Sequence, residues 1–228
     1  MDALRNRIMQ DACYAAGRAD DRQTLLKLLP PDDTPQRKAG LLGALLGAIF
    51  ANNLALVASL LSEGAPPTVS EATNNGPWHC YADERHTRYQ PLHAATYHDQ
   101  RAICKLLLTH SPAVIFCRGY RGETALHVAA ERNQREIAGM LIDGGADVDA
   151  VDEDGLTPLH RVRWNAGMAE VLLDCGADIE GGTEVPDRTP CVVAADREDK
   201  AVMDSLIMRG AVHAERARRA YEEHRWST

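Results

Sequence analysis

A motif that recurs at a nearly constant spacing constrains the fold of this chain more than any other feature of its sequence. Its copies open at Gln90, Thr124, Thr157 and Thr189, so that successive copies start 34, 33 and 32 residues apart. The clearest copy reads Thr-Pro-Leu-His over residues 157–160. In the last three copies an apolar pair and a Gly-Ala dipeptide follow the motif. Such a period indicates structural units that bury their apolar faces by stacking on one another.

Within each copy the residue types fit one supersecondary unit. A leading Thr caps free backbone N–H groups, and the Pro after it suits the first turn of a helix. Small Ala residues allow two backbones to approach closely, and the later Gly permits a left-handed helix stop. Turn-forming residues such as 152–155 precede the next copy. Each copy therefore predicts a short helix, a turn, a longer helix and a projecting loop.

These residues resemble the ankyrin-repeat family, whose signature is Thr-Pro-Leu-His-x-Ala followed by Leu-Leu and Gly-Ala-Asp. Residues 154–160 and 172–178 match it closely in one copy, and residues 122–127 and 144–148 match it in the copy before. The resemblance implies an all-α fold, an ankyrin-repeat solenoid of about six helix-turn-helix repeats with projecting loops and one long inserted finger. It also implies that the signature histidines hydrogen-bond between neighbouring turns. They are His93, His127 and His160.

Keeping this register adds two degenerate copies near the N-terminus, at residues 11–16 and 43–48. We therefore predict a single ankyrin-repeat domain over residues 1–228, with first helices starting near residues 11, 43, 90, 124, 157 and 189. The repeats are predicted at about 4–34, 39–68, 88–119, 122–152, 155–184 and 187–213, the finger at about 66–88 and a capping helix at about 214–226.

Composition and charge narrow the cellular setting and the partners. The chain is 45% hydrophobic and 25% charged, and its net charge of −8 argues against nucleic-acid and anionic-membrane partners. Its longest apolar run, residues 39–51, is too short to span a bilayer. Six scattered cysteines without a Cys-x-x-Cys pair favour reduced thiols. We expect a cytoplasmic monomer, with the nucleus as the alternative location, and no cofactor.

The largest departure from the repeat is the connection between the second and third copies. Its Asn-Gly-Pro turn, flanked by aromatic residues, predicts an extended finger that contacts a ligand, with a merely tolerated insertion as the alternative. The candidate binding residues in the finger are Trp78, His79, Tyr81 and His86. His79, Cys80 and His86 are zinc-ligand types, but adjacent His79 and Cys80 are not a usual chelating spacing, so we predict no metal site.

A second group of candidate binding residues comes from the register of the ankyrin fold. Counting the leading residue as one, positions five, eight and nine of each copy face the concave side. The candidate binding residues at these positions are Phe50, Tyr97, His98, Arg132, Arg161 and Trp164. Aromatic and Arg side chains are enriched in binding hot spots. The alternative is that these side chains only pack on neighbouring helices or meet solvent.

Two classes of function remain open. The leading interpretation is a binding or scaffold module that holds another protein in one continuous site formed by its concave groove and finger. The acidic loop tips favour a partner with basic segments; they are Asp149, Asp152, Glu153 and Asp154. The alternative is an atypical ankyrin-fold enzyme or small-molecule binder with an aromatic and histidine pocket under the 66–88 finger. The sequence contains no Walker loop, Gly-x-Ser-x-Gly or His-Glu-x-x-His motif, so we predict no catalytic residues.

Overall fold

Helices form all the regular structure in the described residues of the computed structural model, which are 2–31, 34–68, 90–181 and 188–226. The all-α prediction is confirmed in these ranges. The helices fall into two units, Met1–Tyr120 and Arg121–Thr228, and each unit is described by itself. None of the helices in the described ranges has the length and apolar character needed to cross a membrane.

The first unit contains three helix pairs followed by a 3-10 helix. The pairs are Asp2–Arg18 with Arg22–Leu28, Pro35–Phe50 with Leu54–Ser62, and Pro91–Tyr97 with Arg101–His110, and the 3-10 helix is Pro112–Phe116. The third pair begins where the motif predicted it. The first two pairs begin well before positions 11 and 43, because their first helices are longer than in the other repeats. Thr34 accepts a hydrogen bond from the Arg37 N–H at 3.2 Å and caps the second of these helices.

Glycines allow the two long helices of the first unit to pack in backbone contact. A Cβ atom built on Gly17 would lie 2.2 Å from the Ala44 carbonyl oxygen, and one on Gly47 would lie 2.2 Å from the Tyr14 carbonyl oxygen. A side chain at either position would therefore separate the helices. This close approach explains the glycine at position 47 of the apolar run over residues 39–51.

The second unit contains three helix pairs and a final single helix. The pairs are Ala125–Glu131 with Arg135–Asp143, Pro158–Arg161 with Ala166–Asp174, and Pro190–Asp196 with Lys200–Met208; the last helix is Ala214–Trp226, and the 3-10 turn Tyr120–Gly122 precedes the first pair. Each first helix begins one residue after the leading position of its motif, as predicted. The last helix occupies the range in which the sequence predicted a capping helix.

The signature histidines of the second unit connect each repeat to the loop that precedes the next one. The Thr124 backbone N–H donates to Nδ1 of His127 at 3.1 Å, so Nε2 carries the proton and donates to the Leu156 carbonyl at 2.9 Å. His160 repeats this arrangement with the Thr157 N–H at 3.0 Å and the Arg188 carbonyl at 2.8 Å. These bonds are the ones that the family resemblance implies.

Every helix pair is joined by a turn residue in the left-handed backbone region. The φ angles of these residues lie between 54° and 63°. They are Asp20, Asn52, Asp99, Asn133, Trp164 and Glu198. Asn and Asp tolerate this conformation best among residues with a side chain. The turns therefore align the repeats independently of the signature motif, and Trp164 and Glu198 are the two turn residues that are neither Asn nor Asp.

The cysteines of the described ranges are free thiols. Burial raises the pKa of Cys104 to about 12 and the pKa of Cys13 and Cys191 to about 11. These three thiols therefore stay protonated at neutral pH and serve as small apolar core groups.

We expect Leu126→Ala to lower the free energy of unfolding by ~2–5 kcal/mol, because the side chain is 1% exposed and its removal leaves a cavity. Urea denaturation followed by circular dichroism measures the loss. Leu54→Ala is the control, since Leu54 is exposed and its truncation should cost far less. Equal losses in the two variants would contradict the assignment of Leu126 to the core between repeats.

Acid should destabilise the fold through His160, because burial lowers the pKa of this imidazole to about 4 in the folded chain. The unfolded chain takes up the proton near pH 6.5, so the contribution is complete above that pH and is lost as pH falls towards 4. We expect a loss of ~2–3 kcal/mol across this window. Denaturation at several pH values should show a shallower pH dependence for His160→Gln than for the wild type. The exposed His110→Gln should leave the slope unchanged.

Candidate functional site

The candidate residues from the sequence are distributed over three parts of the chain. Trp78, His79, Tyr81 and His86 lie outside the described residues, together with the finger predicted at 66–88 from residue 69 onwards. Phe50, Tyr97 and His98 lie in the first unit, whereas Arg132, Arg161 and Trp164 lie in the second. One continuous site over all of them therefore stays a prediction.

The aromatic residues of the first unit form a row of edge-to-face contacts. The Phe50 ring lies 5.9 Å from Tyr14 and 5.1 Å from His98, and His98 lies 5.2 Å from Tyr97, with interplanar angles of 72°, 75° and 77°. Each such contact contributes ~0.5–1.5 kcal/mol beyond burial. Sequence reasoning missed Tyr14, although the register places it where later copies carry the signature His. Phe50 thus packs on aromatic side chains of both neighbouring repeats, whereas the ring contact of Tyr97 is within its own repeat.

An open hollow of about 390 Å³ lies beside the exposed end of this row. Its lining residues are Asn52, His98, Asp99, Gln100, Arg101 and Ala102. Gln100 donates from Nε2 to the Ile49 carbonyl at 2.5 Å, which fixes the turn that forms one wall. The hollow lies between two interhelix turns of the first unit, and His98 is the candidate residue that it exposes.

In the second unit Arg161 is held by a buried ion pair. Its guanidinium donates to the Asp152 carboxylate at 2.5 and 3.2 Å, and the two side chains are 16% and 0% exposed. Asp152 also accepts the N–H groups of Asp154 and Leu156, each at 2.9 Å. Burial alone would raise the Asp152 pKa, but the bonds from Arg161 and the Leu156 N–H hold it below its usual range.

Three of the four acidic loop-tip residues hold groups of the protein itself, whereas Glu153 is exposed, and a partner with basic segments stays a prediction. Asp152 is buried against Arg161, and Asp154 pairs with Arg121 at 2.6 Å. Asp149 accepts the Asp178 N–H at 2.9 Å, which ties two neighbouring loops together. The physical reason is that tightly turned loops leave backbone N–H groups and guanidinium groups that need carboxylate acceptors.

Glu123 is a second buried acid beside this ion pair. Burial raises the pKa of its carboxyl group to about 7, and the nearby Arg161 only partly opposes that rise. The carboxyl group of Glu123 therefore keeps its proton to a higher pH than an ordinary Glu does. Arg161 pairs closely with Asp152 and lies 4.0 Å from the Asp154 carboxylate, and it also experiences the charges of Glu131 and Glu123.

Trp164 occupies an interhelix turn instead of the helix face that the sequence register predicted. The helix Pro158–Arg161 has only four residues, and Trp164 follows at φ 63°, the conformation of Asn133 in the preceding repeat. The register failed because the shortened repeat removes residues before the turn. The indole is 79% exposed, and the backbone N–H of Trp164 donates to the Asp199 carboxylate.

The turn that carries Trp164 is fixed from two sides. Asp199 caps the next helix by accepting the Val202 N–H at 3.3 Å while it also accepts the Trp164 N–H. Asn165 caps its own helix through the Gly167 N–H at 2.9 Å and accepts from Arg135 at 2.8 Å. The exposed indole therefore stands on a preorganised backbone.

Arginines precede the turn residue in all three helix pairs of the second unit. They are Arg132, Arg163 and Arg197, which stand directly before Asn133, Trp164 and Glu198, and we call them the arginine row. Arg197 donates to the His160 carbonyl at 2.6 Å. Its pKa is lowered by burial first and then by the guanidinium groups of Arg163 and Arg161. Sequence reasoning included Arg132 but missed Arg163 and Arg197; position nine of the sixth copy is Arg197.

Among the described residues, no group of three or more His, Cys, Asp or Glu side chains could hold a metal ion. The zinc-ligand types of the finger lie outside these residues. The chemistry available at the second-unit turns is therefore that of guanidinium donors beside an exposed indole, which suits recognition of anionic and aromatic or apolar groups.

Comparison with known families agrees with this architecture. The family model for ankyrin repeats (3 copies) matches residues 12–152 and 92–183. These matches cover most of the chain and both units. The chain belongs to the ankyrin-repeat family.

Individual relatives match parts of the repeat region. The chain is 30% identical over 131 residues to the B-cell lymphoma 3 protein homolog of Mus musculus, covering 54% of this chain and 29% of that protein. It is 32% identical over 133 residues to the NF-kappa-B inhibitor cactus of Drosophila melanogaster, covering 50% and 27%. A third relative is diacylglycerol kinase iota of Rattus norvegicus, with 34% identity over 90 residues, covering 39% and 8%. The chain thus spans less than a third of each of these relatives.

We expect Trp164→Asn to raise the free energy of unfolding by ~1 kcal/mol, because Asn relieves the left-handed strain of a bulky residue and little buried surface is lost. Urea denaturation at neutral pH measures the gain. Glu198→Asn is the matched control at the equivalent turn and should also stabilise, by a smaller amount. If Trp164→Asn were destabilising, the indole would have to pack on the protein more than its exposure indicates.

Proposed function

We propose that this chain is a protein-binding module of the ankyrin-repeat family and that Trp164 anchors its partner. The observation that carries the proposal is an indole that is 79% exposed and held at φ 63°. Both features cost free energy in the isolated chain: the first leaves a large aromatic surface in water, and the second strains the backbone. Burial of the indole against a partner offsets these costs.

The residue type and its setting agree with such a role. Trp and Arg are the side chains most enriched at binding hot spots, and Trp164 stands beside Arg163 and within one repeat of Arg197. A rigid turn lowers the entropy lost when the anchor is buried. Among the relatives, cactus is named as an inhibitor of NF-kappa-B, which supports a protein as the kind of partner.

The remaining parts of the sequence-based hypothesis extend this proposal. Arg132 and Arg161 belong to the same unit as Trp164, so we include them in the binding surface. Phe50, Tyr97 and His98 are candidates for a second contact region in the first unit. A scaffold role would need both regions to be occupied at once.

The finger and the enzyme alternative stay predictions. Both depend on Trp78, His79, Tyr81 and His86, which lie outside the described residues. Deletion of residues 72–85 with retention of the helical signal would test whether the finger contributes to binding.

Affinity capture from native lysate followed by titration of the recovered protein tests the anchor. We expect Trp164→Ala to weaken binding by about 30-fold or more, equivalent to ~2 kcal/mol, as the loss of a buried anchor requires. Trp164→Asn should weaken binding equally while stabilising the fold, which separates loss of contact from loss of structure.

The matched control is Phe116→Ala, which removes another exposed aromatic side chain, 69% exposed, from the first unit. We expect it to leave the affinity unchanged. Wild-type affinity in both Trp164 variants would rule out this residue as the anchor.

A further inference from the structure

We propose that two side chains of the sixth repeat, Asp199 and Arg197, are positioning residues that hold the Trp164 anchor in place for its partner. This inference rests on the proposed function and concerns how the same site is held and controlled. The two side chains belong to the turn between the helices Pro190–Asp196 and Lys200–Met208.

The other five interhelix turns of the described chain are closed within their own repeat. At each of them the backbone N–H of the left-handed residue donates to the carbonyl three residues earlier, at 2.8–3.4 Å. The N–H of the next residue donates to the carbonyl five residues before it, at 2.9 Å in every case. These two bonds define a Schellman helix stop. The left-handed residues of these turns are Asp20, Asn52, Asp99, Asn133 and Glu198.

The Trp164 turn is closed from the sixth repeat instead. Its backbone N–H donates to the Asp199 carboxylate, and the His160 carbonyl accepts from the Arg197 guanidinium at 2.6 Å. The His160 carbonyl and the Trp164 N–H are four residues apart, which is the separation of a helical hydrogen bond. Because the helix Pro158–Arg161 ends before that bond can form, Arg197 supplies the donor and Asp199 supplies the acceptor. Two side chains of the sixth repeat thus complete the shortened helix.

Asp199 serves two N–H groups with one carboxylate. It is 8% exposed; its Oδ1 accepts the Val202 N–H at 3.3 Å as the N-cap of Lys200–Met208, and its Oδ2 accepts the Trp164 N–H. A serine has one side-chain oxygen where the carboxylate has two. Serine at this position can therefore cap the helix but cannot also hold the turn, so a substitution separates the two roles of Asp199.

A turn that a neighbouring repeat holds makes presentation of the indole depend on that repeat. The φ angle of 63° costs a bulky residue free energy, so Trp164 keeps it only while surrounding groups impose it. Opening of the turn in the sixth repeat breaks both bonds and releases the indole from its fixed direction. Ordering the indole again on binding costs entropy and lowers the affinity. Local opening of the sixth repeat therefore switches the anchor off.

Amide hydrogen exchange of the ¹⁵N-labelled full chain, followed by NMR, tests the positioning without a partner. In Asp199→Ser the Trp164 amide should exchange at least ~10-fold faster, because its acceptor is lost. The amide of Leu172, which is buried in the same repeat, should stay within ~3-fold of wild type because Ser caps a helix about as well as Asp. Arg197→Met removes the donor, keeps an apolar stem and should also accelerate the Trp164 amide.

The matched control is Asp21→Ser at the equivalent position of the first repeat. There Oδ1 accepts the Thr24 N–H at 3.0 Å and Oδ2 accepts the Thr24 hydroxyl at 2.5 Å, so both oxygens bind within one helix. The Trp164 amide should exchange at the wild-type rate in this variant. A wild-type rate at Trp164 in Asp199→Ser or in Arg197→Met would overturn the role of the substituted residue. Equal acceleration of Trp164 and Leu172 would show a general loss of stability and overturn the positioning.

The protein recovered by affinity capture is the probe for the effect on binding. Asp199→Ser should weaken its affinity about 5-fold or more, because the released indole must be ordered on binding. In the Trp164→Ala background the same substitution should change the affinity by less than ~2-fold, because a residue that acts through the indole has no effect once the indole is absent. A structural role of Asp199 alone would give equal losses in the two backgrounds.

Equal losses in the two backgrounds, or wild-type affinity of Asp199→Ser, would overturn control of the anchor by the sixth repeat and leave the protein-binding function standing. Wild-type affinity of both Trp164→Ala and Trp164→Asn would overturn the anchor itself. The exchange rates would then still decide whether Asp199 and Arg197 hold the turn.

Discussion

The hydrogen bonds of the signature histidines are the interaction on which the repeat architecture of the second unit depends. Each histidine accepts from the backbone N–H of its own leading Thr and donates to a carbonyl in the loop before the next repeat. One imidazole thus caps a helix and fixes the neighbouring loop. Because both ring nitrogens are used, the ring must stay neutral, and burial keeps the His160 pKa low enough for that.

Side chains that hold the loops in place are not available to a partner. They therefore determine which side chains remain for binding. Asp152 satisfies two loop N–H groups and Arg161, so it serves the fold even though its sequence position suggested a loop tip. Asp199 likewise caps a helix and supports the Trp164 turn. Asp152 and Asp199 are therefore not available to a partner, whereas Trp164 is left 79% exposed at its turn.

The repeat motif predicts the helices that begin at Pro91, Ala125, Pro158 and Pro190, because there the capping Thr or Gln and the first helical turn coincide with the signature. It fails for the two N-terminal repeats, whose helices begin before the degenerate signature. The Thr34-Pro35 dipeptide is a start signal for one of them and could have been used. Packing of Gly17 and Gly47 against carbonyl oxygens was not predictable, since it depends on how two helices cross.

Positions counted along the sequence from the repeat motif did not predict all of the candidate site correctly. The sequence analysis placed Arg161 in the right repeat but treated its partner Asp152 as a solvent-exposed loop tip. Burial of a loop carboxylate depends on which N–H groups converge on it, and the sequence does not show that. Trp164 was assigned to a helix because the register assumed a full-length repeat. The turns align the repeats better, since each needs one left-handed residue, and that requirement brings Arg163 into line with Arg132 and Arg197, which the motif count already places at position nine. A shortened helix thus does more than remove a turn: it moves a tryptophan from the predicted concave helix face to a left-handed turn position, where Trp164 is 79% exposed.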